Sequence, residues 1–268
     1  VEGGVEDATG KTRTYRSIFE GGKFQSAVSF YIDNNPFIVG VISGFIFLVN
    51  VTTNYVDVMP IVGGGRINGR VARVNRTVAD EYVIFYDYPD YPVLVNGISA
   101  RRANPADYEV PVSRMGAYNQ SRLFIVNGGN EFTGGDPVGS TANFIDPPIT
   151  FREYLAPGAA YYAQAFQLPT DYNREPVTAI GTLQAVDTST GVGPLLVASA
   201  NGIYAYGTHV PRVNWEAGQF GSSIVSQVGV VGPRALVNAN ADAFFISSDG
   251  HVRTVSMATR EQKRWSTI

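Results

Sequence analysis

One local pattern recurs along this chain and constrains its fold more than any other. It is a short β-rich run, a turn closing on glycine, and a second β-rich run. Phe37–Ile42 and Phe45–Val49 flank Ser43-Gly44, and Pro92–Val95 and Ile98–Arg101 flank Asn96-Gly97. Arg122–Val126 passes through Asn127-Gly128-Gly129-Asn130 to Glu131-Phe132, and Leu195–Ser199 through Ala200-Asn201-Gly202 to Ile203–Tyr206. Ala243–Ser247 passes through Ser248-Asp249-Gly250 to His251–Ser256. Such turns need positive φ, which glycine adopts without penalty and asparagine or aspartate at little cost. Each unit therefore reads as a β-hairpin. Ala27–Ile32, Val56–Ile61, Glu81–Tyr86, Thr178–Val186 and Val225–Val231 supply further strand-like pieces between them.

The turn glycines recur at irregular intervals, several of them near the roughly 40–50 residues of a propeller blade. A blade takes four short strands, and each hairpin would supply the middle two. Trp215 and Trp265, each downstream of a hairpin, suggest that the last two units are in register. The hairpins are apolar on both faces, as stacked blades require. Phe244, Phe245 and Ile246 are then all expected to be buried. The expected fold class is all-β and β-propeller-like, a complete or partial ring with little or no helix. The competing architecture is a β-sandwich, which uses the same turn signals. Thr150–Leu155, stopped by Pro157-Gly158, is the one helical piece expected. We read residues 1–268 as a single propeller-like domain with an insertion around 133–177. The start at Val1 and the strand-like ending Arg264–Ile268 suggest a fragment or a processed part of a larger protein.

Composition narrows the chemistry. With no cysteine there are no disulfides, thiol nucleophiles or thiolate metal sites. A net charge of −3 leaves no basic footprint for duplex DNA. The apolar run Phe37–Val49 is too short for a membrane helix and is divided by Ser43-Gly44, so no membrane span is expected. No basic region followed by an apolar stretch opens the chain, so no signal peptide is expected.

His209 and His251 are isolated in sequence, and no spacing assembles a Ser/His/Asp set or a zinc site. Asp187-Thr188-Ser189-Thr190-Gly191 begins like a calcium loop but lacks the closing acid. Ser247-Ser248-Asp249-Gly250 resembles a sialidase aspartate box only in part, and reads as hairpin chemistry. Asp87 and Asp90 sit on a Tyr/Pro-rich stretch that would suit a paired-carboxylate glycosidase. A packing or partner contact is the preferred reading of that stretch, with Tyr86, Tyr88 and Tyr91 as candidate assembly residues. The glycine-rich 61–70 stretch lacks the Gly-Lys-Ser/Thr ending of a phosphate loop. With Arg66, Arg70, Arg73 and Arg76 it forms the local basic cluster, by default a solvated strand face and secondarily a candidate for weak contacts with nucleic acid or an acidic partner. No catalytic, cofactor-binding or metal-binding residue is assigned, and the chain is not expected to be an enzyme.

The segment Trp215–Gly250 carries a resemblance. Gly232-Pro233-Arg234-Ala235-Leu236, then Asp242-Ala243-Phe244-Phe245-Ile246-Ser247, then Asp249-Gly250, is similar to a run in tail and head-completion proteins of short-tailed bacteriophages. Tyr15–Phe19 and Ser29–Ile32 are compatible with the same family. The resemblance implies a virion structural protein of the tail nozzle or stopper class. Copies of such a propeller-like body form a ring around the ejected genome, beside other tail and head-completion proteins, with transient non-specific DNA contact. The expected location is the virion tail. The alternatives are a carbohydrate-binding or carbohydrate-processing propeller and a protein-binding scaffold.

Overall fold

A computed structural model describes residues 3–6, 12–138, 147–162, 164–168, 175–183, 193–208, 212–215, 222–239 and 242–265. His209, Pro211, the 187–191 loop and residues 144–146 lie outside them. The chain divides into two compact units, Val1–Val112 and Ser113–Ile268.

In the first unit a small ladder, β1 (Gly4–Glu6) with β2 (Thr12–Thr14), leads into helix α1 (Tyr15–Gly21). Thr14 caps that helix by accepting the Ser17 amide. The first sheet is an antiparallel meander of β3 (Phe24–Ile32), β4 (Asn35–Ile42), β5 (Phe45–Asn50) and β6 (Val56–Met59). The predicted Ser43-Gly44 hairpin is present, with Ile42 opposite Phe45 and both turn residues at positive φ.

The second sheet contains β7 (Ile61–Val62), β8 (Asn75–Ala79), β9 (Tyr82–Tyr86), β10 (Val93–Val95) and β11 (Ala100–Arg102), with β7 parallel to β11. Its Asn96-Gly97 hairpin supplies the last two strands of the β8–β11 meander, where the middle two were expected. Phe30, Val39, Val41 and Ile46 of the first sheet pack on Val83, Phe85, Val93 and Val95 of the second. Full burial of each such side chain is worth about 1.5–3 kcal/mol relative to exposure. On the first sheet's other face, α1 covers Ile42 and Phe47 with Ile18. Beyond the helix, Phe24, Tyr31 and Ile38 are exposed.

The second unit repeats the plan three times. Its first sheet is β12 (Gly116–Asn119), β13 (Arg122–Gly128), β14 (Glu131–Gly134) and β15 (Phe166–Gln167), the short helix α2 (Arg152–Leu155) lying between the last two strands. The expected insertion is thus an excursion that returns as the fourth strand, with Phe166 against Phe132. The next sheet is β16 (Ala179–Thr182), β17 (Leu195–Ala198), β18 (Ile203–Tyr206) and β19 (Ser222–Ser226). The last is β20 (Leu236–Ala239), β21 (Asp242–Ile246) and β22 (Val252–Thr254).

The sheet β16–β19 is covered on both faces. Leu195, Val197, Tyr204 and Tyr206 meet the preceding sheet around Phe132 and Trp215, and Leu196, Ala198 and Ile203 meet Ala243 and Phe245 of the following one. Covered on both sides, it is the blade that the apolar hairpins predicted.

Three further expectations fail. A helix, α3 (Val255–Trp265), takes in Val255-Ser256 and Arg264-Trp265, both read as strand-like, while residues 266–268 lie outside the described residues. Thr254 accepts the Met257 amide at its start, and Val255 and Ala258 are buried against β21. Trp265 therefore ends a helix while Trp215 is a core residue next to a 3-10 turn, so the two are not equivalent. Phe245 is buried, but Phe244 and Ile246 are 44% and 45% exposed, so the last sheet is covered on one face only.

Candidate interaction surfaces

In the first unit the loop 66–70 is held against the Ser43-Gly44 turn by a set of buried polar groups. Gly44 O accepts the Ile67 amide at 3.0 Å. A Cβ on Gly44 would collide with Ile67 O, and one on Gly69 would lie 2.9 Å from Ser43 O, so both close approaches depend on glycine. Gln25, fully buried on β3, donates to Asn68 O and Val71 O at 2.8 and 2.9 Å and accepts the Gly44 amide at 2.7 Å. Asp87, also buried, accepts the Asn68 amide at 2.9 Å with Oδ1 and pairs with Arg102 at 2.7 Å through Oδ2. Arg102 reaches on to Arg66 O, and Lys23 Nζ donates to Arg70 O. The result is an open cleft of about 440 Å³ between the Ser43 turn, the 66–70 loop and Asp90.

These contacts re-sort the residues singled out in the sequence. Arg66 and Arg70 line the cleft, the first with its guanidinium 5.7 Å from the Phe45 ring centre. Arg73 precedes β8 and Arg76 lies on it; both are exposed and neither lines the cleft. The basic cluster is thus two arginines at a cleft and two elsewhere. Tyr86 presents no surface for assembly. It is buried at the end of β9, its hydroxyl donates to Thr77 Oγ1 at 3.1 Å, and burial drives its phenol pKa upward. Tyr88 is exposed and Tyr91 half-buried. Asp87 holds a loop, a role its place in an aromatic stretch did not announce.

In the second unit the last sheet presents an apolar face. Val237 lies opposite Phe244, and Val252 opposite Ile246, so all four side chains share one side. All four are exposed, Val252 most of all at 73%. Val231 joins them, its amide bonded to Ile246 O. The turn beyond gathers Ser247, Asp249, His251 and Arg253. Ser247 Oγ donates to an Asp249 carboxylate oxygen, Arg253 donates to the other at 2.7 Å, and His251 Nδ1 lies 3.3 Å from the carboxylate. The serine therefore serves the aspartate, and the exposed His251 lies against the same carboxylate oxygen. The Ser247 hydroxyl and Arg253 hold the Asp249 carboxyl below the usual carboxylate range.

A buried charge cluster fixes the excursion that carries α2. Arg212 donates to Gly134 O and Arg122 to Gly135 O, each at 2.8 Å, and both guanidiniums stack over Trp215 at 5.0–5.1 Å. Glu153 lies 3.6 Å from Arg212 and 3.9 Å from Arg122. Asp136 accepts the Arg152 and Glu153 amides at the start of α2. Burial and the neighbouring Arg212 push the Arg122 pKa down to about 10. These partners all belong to the second unit, and together they tie α2 to β14 and to the 3-10 turn before Trp215.

No family model and no curated protein matches the chain. Solved structures do. The extracellular domain of the putative hybrid two-component system BT4673 from B. thetaiotaomicron aligns over 85% of this chain at 9% identity, with a TM-score of 0.50. The likeness is one of fold. This is a β-propeller-like protein. The chain spans about a quarter of that protein's length, 25%. BBS1N, solved in complex with ARL6DN, aligns over 86% of this chain and 64% of its own at 12% identity, TM-score 0.48. The corresponding BT3049 extracellular domain from B. thetaiotaomicron aligns over 94% of this chain and 33% of its own at 10% identity, TM-score 0.48. Among the described residues, no helix is long and apolar enough to cross a membrane.

Proposed function

We propose that this chain is a structural component of a short-tailed phage tail, of the nozzle or stopper class. It works by assembling copies into a ring around the genome's path and catalyses nothing. The observation that carries this reading is the exposed Val237, Phe244, Ile246 and Val252 face, of which the first three residues lie in the segment that resembles the phage proteins. An apolar patch of neighbouring side chains on a protein surface marks an interaction site. The occupant in this reading is a second copy. Tyr31 and Ile38, diagonal neighbours on β3 and β4, are also exposed in the first sheet, and two unlike surfaces that pair head-to-tail make the contact that generates rings. Tyr88 is the remaining aromatic of the sequence-predicted assembly loop with substantial exposure.

A conduit must let DNA slide, and a net charge of −3 suits a wall that does not grip phosphates. Electron microscopy of particles carrying this chain tests the reading: a closed ring on the tail axis is expected. Duplex DNA should bind no tighter than the non-specific range of about 10⁻⁴–10⁻⁶ M at physiological salt. A position off the axis, or nanomolar sequence-specific DNA binding, would overturn it.

A further inference from the structure

We propose that the cleft in the first unit binds a small ligand bearing one carboxylate flanked by hydroxyl donors, the chemistry of an acidic sugar. This goes beyond the assembly reading and does not depend on it. The cleft's volume of about 440 Å³ falls within the range of small-molecule sites. Its floor is fixed without any ligand. Gln25 and Asp87, both buried, together with Arg102 and Lys23, engage the backbone of residues 66–71, so little ordering remains for a ligand to impose.

Against that rigid backbone, the Arg66 and Arg70 guanidiniums make no hydrogen bond or ion pair among the described residues. Nearby Arg101 and Arg102, by contrast, are each paired with a carboxylate at 2.6 and 2.7 Å. Two guanidiniums beside a preformed cleft, one of them resting 5.7 Å from the Phe45 ring centre with its N–H groups unengaged among the described residues, suit an anionic group, which they bind with charge-assisted hydrogen bonds. Asp90 sets the rest of the ligand. Asp90 also lines the cleft; a carboxylate there would repel a second anionic group and accept hydrogen bonds from hydroxyls. In a cleft lined by two arginines and an aspartate, each further phosphate adds charge against Asp90, whereas a single carboxylate among hydroxyls suits both kinds of residue.

Isothermal titration calorimetry of the full chain tests this, with glucuronate, glucose and inorganic phosphate as probes. Glucuronate should bind saturably and glucose should not. Arg66→Ala and Arg70→Ala should each weaken glucuronate about tenfold or more, the loss expected for one charge-assisted contact. Asp90→Asn should weaken glucuronate and strengthen phosphate. All three side chains are exposed, so an unchanged circular dichroism spectrum is expected of each variant. Two results would overturn the proposal: no saturable glucuronate binding by the folded protein, or phosphate binding as tightly as glucuronate with no response to Asp90→Asn. Neither result bears on ring assembly, which electron microscopy reads separately.

Discussion

Phe244 and Phe245 are consecutive in β21 and lie on opposite faces of the last sheet, the first 44% and the second 1% exposed. Strand alternation alone requires the opposition. What decides the two outcomes is that one face packs on β16–β19 and the other does not. Phe245→Ala should cost about 3–5 kcal/mol as a core truncation, whereas Phe244→Ala, at dilutions where the chain is monomeric, should stay within about 1 kcal/mol. Urea denaturation of both variants checks the pair. Equal losses would contradict the one-sided packing.

Gly44 and Gly64 both have φ near +85°, yet their surroundings differ. A side chain on Gly44 strikes Ile67 O, while Gly64 faces open space. Gly64→Ala should therefore carry only the backbone penalty, about 1–2 kcal/mol. Gly44→Ala should cost more, because the loop 66–70 must move as well. Chemical denaturation reads the difference, and a larger loss at Gly64 would contradict it.

Arg212 is almost wholly buried between Trp215, Gly134 and Glu153. Arg212→Ala leaves a carboxylate and a carbonyl in a dry site and should destabilise the second unit by about 3–5 kcal/mol. Adding Glu153→Gln should recover part of the loss. Thermal unfolding of the single and double variants measures that coupling.

Asp249 gives a pH dependence whose sign follows from its lowered pKa. A carboxyl held below its unfolded value of about 3.9 stabilises the fold above that pH, and the contribution disappears as pH falls through the folded value. Stability should therefore decline below about pH 4, and Asp249→Asn should flatten that limb. An unchanged acid limb in the variant, followed by denaturant midpoint against pH, would contradict the Ser247 and Arg253 contacts.

The hairpins at Ser43-Gly44, Asn96-Gly97 and Gly128–Asn130 were legible because their turns advertise themselves through glycine and asparagine. The equally tight Asp33-Asn34 and Gln120-Ser121 turns, with all four residues at positive φ, were not, since no glycine marks them. Helix α3 was missed because Val252–Val255 reads as strand, although Ala, Arg, Glu, Gln and Lys follow. Arg66 and Arg70 were visible as charges. The cleft they line was not, because it depends on Gln25 and Asp87, which sequence distance separates from the loop they hold. Tyr86 misled because an aromatic run that continues a strand looks like an aromatic loop until burial is known.

Sedimentation velocity across a concentration series tests the central claim, assembly through the exposed face of the last sheet, most directly. The wild-type chain should sediment as a closed oligomer, and the triple variant Val237→Ser, Phe244→Ser, Ile246→Ser should sediment as a folded monomer of about 28.9 kDa. A wild-type chain that stays monomeric at every concentration, or a triple variant that assembles as the wild type does, would contradict it.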